Sequence, residues 1–220
     1  MIELPLIIAI LLFSVIIHEC AHGVVALWFG DDTAKRAGRL SLNIVRHIDL
    51  MGTVILPLFL LAFYMIAGSG IIFGWAKPVP VRVSNLRNPA RDYTFVSLAG
   101  PLSNILLAFV FAFMVPLSIM MLKGLGAPFS VALFICFFGV KINIILAVFN
   151  LLPIPPLDGS HVLAYLLPHR IALRYQAIAR YGILIILFLV FTDTLRYPFL
   201  LADYISRTLI GSIGSIGGFL

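Results

Sequence analysis

Three ionisable side chains stand close together in an otherwise apolar stretch near the start of the chain: His18, Glu19 and His22. If this stretch is helical, His18 and His22 lie about 40° apart around the helix, so both imidazoles can bind one tetrahedral Zn²⁺ ion. Glu19 lies about 60° from His22 and can act as a general base beside the metal. Cys20 falls nearly opposite His18, which excludes it as a ligand. The spacing therefore indicates a hydrolytic zinc site.

A catalytic zinc ion needs a third protein ligand and keeps one open position. Asp158 is the candidate, because the prolines within 153–156 must end the preceding helix and leave irregular backbone at membrane depth. Gly159 then permits a turn that directs the carboxylate inward. The alternative is that Asp158 caps a helix predicted over 161–167. We favour the role of metal ligand for Asp158, because the histidine pair lies in the same membrane.

The composition places this site in a membrane. The chain has 220 residues, of which 62% are hydrophobic and 11% charged, and its mean hydropathy is +1.12. Ordinary soluble domains are about half apolar and about a quarter charged, so a soluble domain, a disordered chain and a coiled coil are excluded. The net charge of +6 does not indicate nucleic-acid binding, because the basic residues are scattered between apolar runs, where they usually set orientation.

Five apolar runs are long enough for a helix to cross the hydrocarbon core, which takes about 20 residues. They are residues 4–29, 50–73, 94–122, 130–157 and 181–202. We expect an all-α polytopic membrane protein, a bundle of about five to six transmembrane helices with short re-entrant or extended segments near the site. The expected organisation is one membrane-embedded domain, 1–220, with its core at 4–167 and additional C-terminal helices at 168–220. Residues 203–220 are Gly-rich and are not placed by the sequence.

Two motifs together resemble the site-2 protease family of intramembrane zinc metalloproteases. The first is the H-E-x-x-H sequence that begins at His18. The second, N-x-x-P-x-x-x-L-D-G, is matched at every fixed position from Asn150 to Gly159. Residues 99–104 look like the family's segment between these motifs, and residues 73–81 are similar to a connector of its short bacterial and archaeal members.

The resemblance implies an enzyme that hydrolyses peptide bonds within or near transmembrane segments of membrane proteins. His18, His22 and Asp158 would ligate one Zn²⁺ ion per chain, Glu19 would be the general base, and Asn150 would hydrogen-bond near the metal or the tetrahedral intermediate. The implied partners are transmembrane-segment substrates and the lipid bilayer, with no nucleic acid. The 220 residues leave no room for the PDZ or CBS domains of many members, so the chain resembles a short form.

The alternative is a multi-helix metal transporter or another metal-binding membrane protein, which would also place His and Asp side chains at mid-membrane. Glu19 separates the two hypotheses, because a transporter needs ligands rather than a base beside two of them. His161 follows Asp158 by three residues and could approach the metal. For His161 we favour a position behind the ligands or at an interface, because three protein ligands already complete a hydrolytic site.

Two short segments are expected to be extended. Residues 39–43 alternate between apolar and polar side chains, and the prolines at 78 and 80 exclude a helix over 77–83. Substrate hydrolysis within a bilayer requires a locally unwound strand, which could pair with either segment by strand addition.

The basic residues predict the topology. If residues 50–81 form a re-entrant or out-and-back element, residues 30–49 and 82–93 share one side, which holds eleven Lys and Arg against only Lys123 on the other. Such a bias marks the cytoplasmic face. We expect a multi-pass protein in the cell membrane of a bacterium or archaeon, with zinc nearer the cytoplasmic face. The alternative is a plain crossing with a deeply inserted loop at Asp158.

Overall fold

The structure, a computed structural model of the chain, describes residues 3–55 and 77–216, and between them only residues 58, 59, 62 and 65. Within this part the chain is helical and contains no β-strand. The α-helices are α1 (Glu3–Trp28), α2 (Thr33–Arg36), α3 (Pro89–Leu122), α4 (Ala127–Asn150), α5 (Asp158–Leu166), α6 (His169–Ala177), α7 (Gly182–Phe191) and α8 (Arg196–Ile216). Shorter helical turns lie at Ile44–His47, Leu50–Ile55, Val83–Asn85 and Ile178–Tyr181.

Among the described residues, α1, α3 and α4 are long and apolar enough to cross a membrane. A fourth span exists if His169–Tyr181 and Leu184–Phe191, which are bent by 72°, count as one segment. The prediction of an all-α integral membrane protein is thus confirmed, with fewer described spans than expected. The run 50–73 lies mostly outside the described residues. The run 181–202 is divided between α7 and α8, because Asp193 adopts a left-handed φ of 55° that interrupts a right-handed helix.

The core of the bundle lies where α1, α3, α4 and α8 meet. Ala108 and Ala112 on α3 are fully buried, and such small side chains let neighbouring helices approach closely. The helix α8, which includes most of the segment that the sequence did not place, packs against α4 and joins this core. The buried members of this core are Ile10, Ala108, Phe111, Ala112, Val140, Ile144, Ala202 and Ile213. The C-terminal helix is therefore an integral part of the bundle.

Two connectors meet at the end of α1, where Asp31 is fully buried. Its carboxylate accepts hydrogen bonds from Thr33 Oγ1 at 2.5 Å, from the Arg82 backbone N–H at 2.6 Å and from Asn85 Nδ2 at 2.9 Å. Burial opposes ionisation, but these hydrogen bonds outweigh it and hold the pKa of Asp31 below its usual range. The connector after α1 and the connector before α3 are thereby joined at one end of the bundle, as the predicted topology requires.

The predicted re-entrant element, 50–81, lies largely outside the described residues. Its end is described: residues 77–82 have no regular structure, and Val83 begins a helical turn. The Lys77 N–H donates to the His47 carbonyl at 2.9 Å, so this segment lies beside the connector that follows α1. Gly23 of α1 has no side chain at the point where both segments pack, since a Cβ there would contact Leu40 and Val79.

Candidate metal centre

Three side chains from distant parts of the chain meet inside the bundle: His18 and His22 on α1, and Asp158 at the first residue of α5. The two Nε2 atoms are 3.0 Å apart. Asp158 Oδ2 lies 3.2 Å from His18 Nε2 and 3.5 Å from His22 Nε2. One ligand atom from each residue lies within 4.8 Å of the other two. The structure therefore brings together the three side chains that the sequence proposed as metal ligands.

In each imidazole, the hydrogen bond made by Nδ1 determines which ring nitrogen carries the proton. His22 Nδ1 lies 2.7 Å from the carbonyl oxygen of Val96, which only accepts, so His22 Nδ1–H is the donor. His18 Nδ1 lies 2.7 Å from Asn104 Oδ1 and donates in the same way. In a neutral imidazole each Nε2 is then unprotonated, so both lone pairs are available to a metal ion beside the Asp158 carboxylate.

A buried chain of polar groups sets the orientation of the Asn104 amide. Asn143 Nδ2 donates to the Gly139 carbonyl at 2.8 Å and to Ser14 Oγ at 2.9 Å, so its Oδ1 is left to accept from Asn104 Nδ2 at 2.9 Å. Asn104 Oδ1 is then directed to His18. Asn104, Asn143 and Ser14 are each 0% exposed. One continuous network across α1, α3 and α4 thus holds the first imidazole.

Asn143, Ser14 and Gly100 were given no role by the sequence analysis. The signal for Asn143 was present, because a polar amide inside an apolar run is costly and usually has a function. Gly100 lies against the metal centre, where a Cβ would come within 2.5 Å of ring atoms of both His18 and His22. Only a residue without a side chain lets α3 approach α1 at this level.

Asp158 reaches the histidines because α4 ends at Asn150 and the chain turns back over residues 151–157. The N-cap residue of α5 is Leu157, and no side-chain cap hydrogen bond is present there, which disfavours the cap alternative for Asp158. Gly159 does not have the left-handed conformation that a turn glycine uses. Instead, it packs directly against the Leu151 carbonyl, which a Cβ would overlap, so its role is close approach rather than a turn.

Glu19 lies beside the metal centre and is held by backbone. Its Oε2 accepts a hydrogen bond from the Val79 N–H at 2.8 Å, and Val79 itself is buried. This contact ties the segment before α3 to the proposed base. Cys20 points elsewhere, because its Sγ donates to the Ser41 carbonyl at 3.5 Å. As the helical angle predicted, Cys20 is not part of the cluster.

Asn150 makes no hydrogen bond to the cluster in the described part of the chain. Its Nδ2 donates to the Leu146 carbonyl at 2.9 Å, one turn back along α4, so its role near the reacting groups stays a prediction. His161 packs edge-on against Tyr93, with ring centroids 4.7 Å apart.

The donor set fits a zinc ion. Asp158 Oδ2 is buried and has no hydrogen-bond partner among the described residues, which is costly for a carboxylate oxygen unless a cation compensates it. Two lone pairs and one negative oxygen converge on a single point, where a cation offsets their mutual repulsion. Histidine nitrogen and carboxylate oxygen are both zinc ligands, and each histidine is held from behind, as metal-binding histidines usually are.

Comparison with known proteins identifies relatives along most of the chain. Residues 114–190 match the model of Peptidase family M50. The chain is 37% identical over 195 residues to YwhC of Bacillus subtilis (strain 168), an alignment that covers 88% of this chain and 84% of that protein. It is 32% identical over 200 residues to Rip2 of Mycolicibacterium smegmatis, with 87% and 68% covered. Both relatives bear the name "putative zinc metalloprotease". No solved structure matches the chain.

A helical membrane bundle with a buried His₂–Asp centre and an adjacent glutamate defines a membrane metallopeptidase. The chain belongs to peptidase family M50, the site-2 protease family. It is a zinc metalloprotease and an integral membrane protein.

Proposed function

We propose that the protein is an intramembrane protease of the regulated-proteolysis type, which hydrolyses peptide bonds within or near transmembrane segments of membrane proteins. The observation that carries the proposal is the depth of the metal centre. His18 lies ten residues before Trp28 at the end of α1, about 15 Å along the helix. Val96, whose carbonyl accepts from His22, lies within the apolar run 94–122 of α3. A peptide bond at these ligands is inside the bilayer.

The residues divide the chemistry as follows. His18, His22 and Asp158 would hold the zinc ion, which when bound would supply a Lewis acid for the scissile carbonyl and would lower the pKa of a water to about 7. Glu19 accepts the proton from the attacking water and passes it to the leaving amine. The Val79 N–H fixes the Glu19 carboxylate by its hydrogen bond to Oε2.

Asn150 is proposed as a donor to the developing oxyanion. Its amide nitrogen carries two hydrogens, of which the Leu146 carbonyl takes one. The second is free to point toward a substrate carbonyl at the end of α4, next to the turn that carries Asp158.

The two predicted extended segments differ in the backbone donors that they leave free. In 77–82, the N–H groups of residues 77, 79 and 82 are all donated within the protein. Positions 78 and 80 are prolines, which have no N–H. Only the N–H of Val81 is left without a partner among the described residues, so this segment can offer a substrate little beyond carbonyl acceptors.

Segment 39–43 is the better edge for pairing with a substrate. Its Ser41 carbonyl is occupied by His47 and Cys20. The backbone N–H and C=O of Leu40 and Leu42 have no partner within the described part of the chain. The chain bends at Leu40 and Ser41, so this segment is not the extended strand that the alternation predicted. Its free donors and acceptors at Leu40 and Leu42 are nevertheless the groups proposed to pair with an unwound substrate.

The orientation is proposed from charge. The connectors joined at Asp31 and the first turn of α3 carry Lys35, Arg36, Arg39, Arg46, Lys77, Arg82, Arg87 and Arg91, and Arg170, Arg174 and Arg180 follow in and just after α6, whereas the turn between α3 and α4 carries Lys123. The positive-inside tendency then makes the face at Asp31 cytoplasmic and sets the zinc ion nearer that face, in the cell membrane of a bacterium or archaeon.

The test is cleavage by purified protein in proteoliposomes, with single-span membrane polypeptides as substrates and with chelator and added zinc as paired conditions. Wild-type protein should cleave, and the chelator should abolish cleavage reversibly. Glu19→Gln should bind one zinc ion per chain yet reduce turnover by at least about 10², because Gln cannot accept the proton. Full cleavage by Glu19→Gln, or cleavage that ignores the chelator, would exclude the proposed mechanism.

A further inference from the structure

A cavity of about 320 Å³ lies beside the metal centre and plays no part in the chemistry above. It is formed between α3, the first turn of α5, and the chain from α6 into the helical turn at Ile178–Tyr181. Its wall includes Val83, Tyr93, Pro156, His161, Gln176 and Ala179. Gln176 and Ala179 are exposed and form the rim, so the cavity is open to a ligand from outside.

Two walls of the cavity continue directly from segments that touch the metal site. His161 lies three residues after Asp158 on α5, about 4.5 Å along the helix. Tyr93 stands one turn before Val96, whose carbonyl holds His22. Both turns lead from the metal centre into the cavity, so the opening lies next to the place where a peptide bond would meet the zinc ligands.

The chemistry of the walls describes the occupant. The lining residues are uncharged apart from a titratable imidazole, and Val83, Pro155, Pro156 and Ala179 are apolar. His161 Nδ1 is buried without a hydrogen-bond partner among the described residues, whereas the other ring nitrogen, Nε2, is neither buried nor hydrogen-bonded there; the ring is held edge-on by Tyr93. An occupant of the cavity removes water from Nε2, so an occupant that pairs with this nitrogen is favoured over one that leaves it unpaired.

We propose that this cavity is the binding pocket for one substrate side chain adjacent to the cleaved peptide bond, and that it selects an uncharged side chain bearing one hydrogen-bonding group, such as Thr or Gln. This inference rests on the proposed proteolytic function. Apolar walls accept the body of the side chain, and His161 pairs with its polar group. Charged side chains are excluded, because no lining residue carries an opposite fixed charge.

The probe is a pool of single-span polypeptides with Leu and Ala spans, interrupted by a central Gly-Xaa-Gly segment in which one residue is varied. Mass spectrometry of the products gives the cleavage position and the rate for each residue. Wild-type protein should prefer Thr over Val and Gln over Met by about tenfold or more, since a site built to hydrogen-bond rejects the analogue that lacks the group. Equal rates within both near-isosteric pairs would overturn the proposed selectivity.

Two matched variants test the location. Ala179→Trp fills the rim, whereas Ala177→Trp adds the same bulk to an exposed residue that is absent from the wall. Ala179→Trp should reduce cleavage of the Thr and Gln substrates at least tenfold, and should change the Gly and Ala substrates by less than threefold. Ala177→Trp should keep the wild-type profile. Identical profiles for the two variants would overturn the assignment of this cavity.

Variants of His161 test the polar contact. His161→Leu should reduce the Thr-to-Val ratio toward one, and His161→Gln, which keeps a polar atom near the Nε2 position, should restore part of it. Zinc content, measured in parallel, should stay at the wild-type value in both variants. An unchanged Thr-to-Val ratio in His161→Leu would contradict the proposed contact.

A binding measurement separates failure of this inference from failure of the proteolytic proposal. A benzophenone amino acid at position 179 of Glu19→Gln protein should crosslink to the varied residue of the Thr polypeptide, and the same group at position 177 should not. Crosslinking without any cleavage by the wild-type protein would retain the pocket and reject the protease. Chelator-sensitive cleavage with equal crosslinking from both positions would retain the protease and reject the pocket.

Discussion

Each histidine of the metal centre is oriented through the nitrogen that faces away from the metal. For His22 the acceptor is the backbone carbonyl of Val96, which no substitution removes. For His18 it is the side chain of Asn104, itself held by Asn143. The two ligands therefore differ in how easily substitution can disturb them, and His18 is the one whose orientation depends on buried side chains.

Replacement of Asn104 should weaken zinc binding without removing a ligand. Asn104→Leu keeps the branched shape of the side chain but leaves His18 Nδ1–H without an acceptor, so zinc affinity should fall about 10–100-fold. Asn104→Asp retains an oxygen for His18 and should lose less. Competition with a zinc chelator on detergent-purified protein measures both affinities. Wild-type affinity in Asn104→Leu would show that the backbone alone orients His18.

Gly100 should not tolerate even one added methyl group. In Gly100→Ala the Cβ would lie within 2.5 Å of the rings of His18 and His22, so the helices must separate or the ligands must rotate. We expect zinc content well below one ion per chain, measured by atomic spectroscopy. Gly211→Ala is the matched control, since a Cβ at that helical position has nothing within 4 Å. Equal zinc content in the two variants would contradict the close approach of α3 to α1.

At the scale of elements, the connectors are held to the helices by buried hydrogen bonds rather than by strand pairing. Asp31 joins the end of α1 to the segment before α3. Val79 joins that segment to Glu19 in the middle of α1. The chain between residues 77 and 87 is thereby fixed along the second half of α1, and the proposed base is held in place by the same packing.

Loss of the Asp31 carboxylate should destabilise the protein in a pH-dependent way. The folded-state pKa of Asp31 is lowered relative to an unfolded value of about 3.9, so its stabilisation is present above that pH and is lost as the pH falls through the folded-state pKa. Asp31→Asn should lower the Tm by a few degrees at pH 7, and the difference from wild type should shrink below about pH 4. Thermal unfolding in detergent at several pH values measures this.

Asp32→Asn is the control for that experiment, because Asp32 pairs with Arg36 on the surface. Exposed ion pairs contribute about 0–1 kcal/mol, so the Tm should change little. Equal changes in Tm for Asp31→Asn and Asp32→Asn would mean that the buried network does not join the connectors.

At the scale of the whole molecule, the contacts at Asp31 require both connectors to emerge on one side of the membrane. Single cysteines at Val45 and Ser84, in a protein without Cys20 and Cys136, should be labelled by an impermeant reagent from the same face. A cysteine at Lys123, in the turn between α3 and α4, should be labelled from the opposite face. Labelling of Val45→Cys and Ser84→Cys from opposite faces would contradict both the contacts and the proposed topology.

The sequence by itself determined the features that depend on local spacing and composition. Hydropathy alone indicated a helical membrane protein, because a backbone in lipid must satisfy its own hydrogen bonds. A four-residue separation on a helix was enough to place His18 and His22 on one face, and the prolines before Asp158 were enough to end α4. The division of the run 181–202 into α7 and α8 was not predicted, although the charged residues Asp193 and Arg196 lie at the break.

Only the tertiary structure decided which distant groups meet. The contact between His18 and Asn104 spans 86 positions, and that between Ser14 and Asn143 spans 129, so no local pattern could pair them. The absent side chain of Gly100 matters only because α3 crosses α1 at that level, and Gly159 matters because α5 packs on the Leu151 carbonyl. Helix packing chooses these partners through shape and buried hydrogen bonds, which depend on three-dimensional proximity rather than on neighbouring residues.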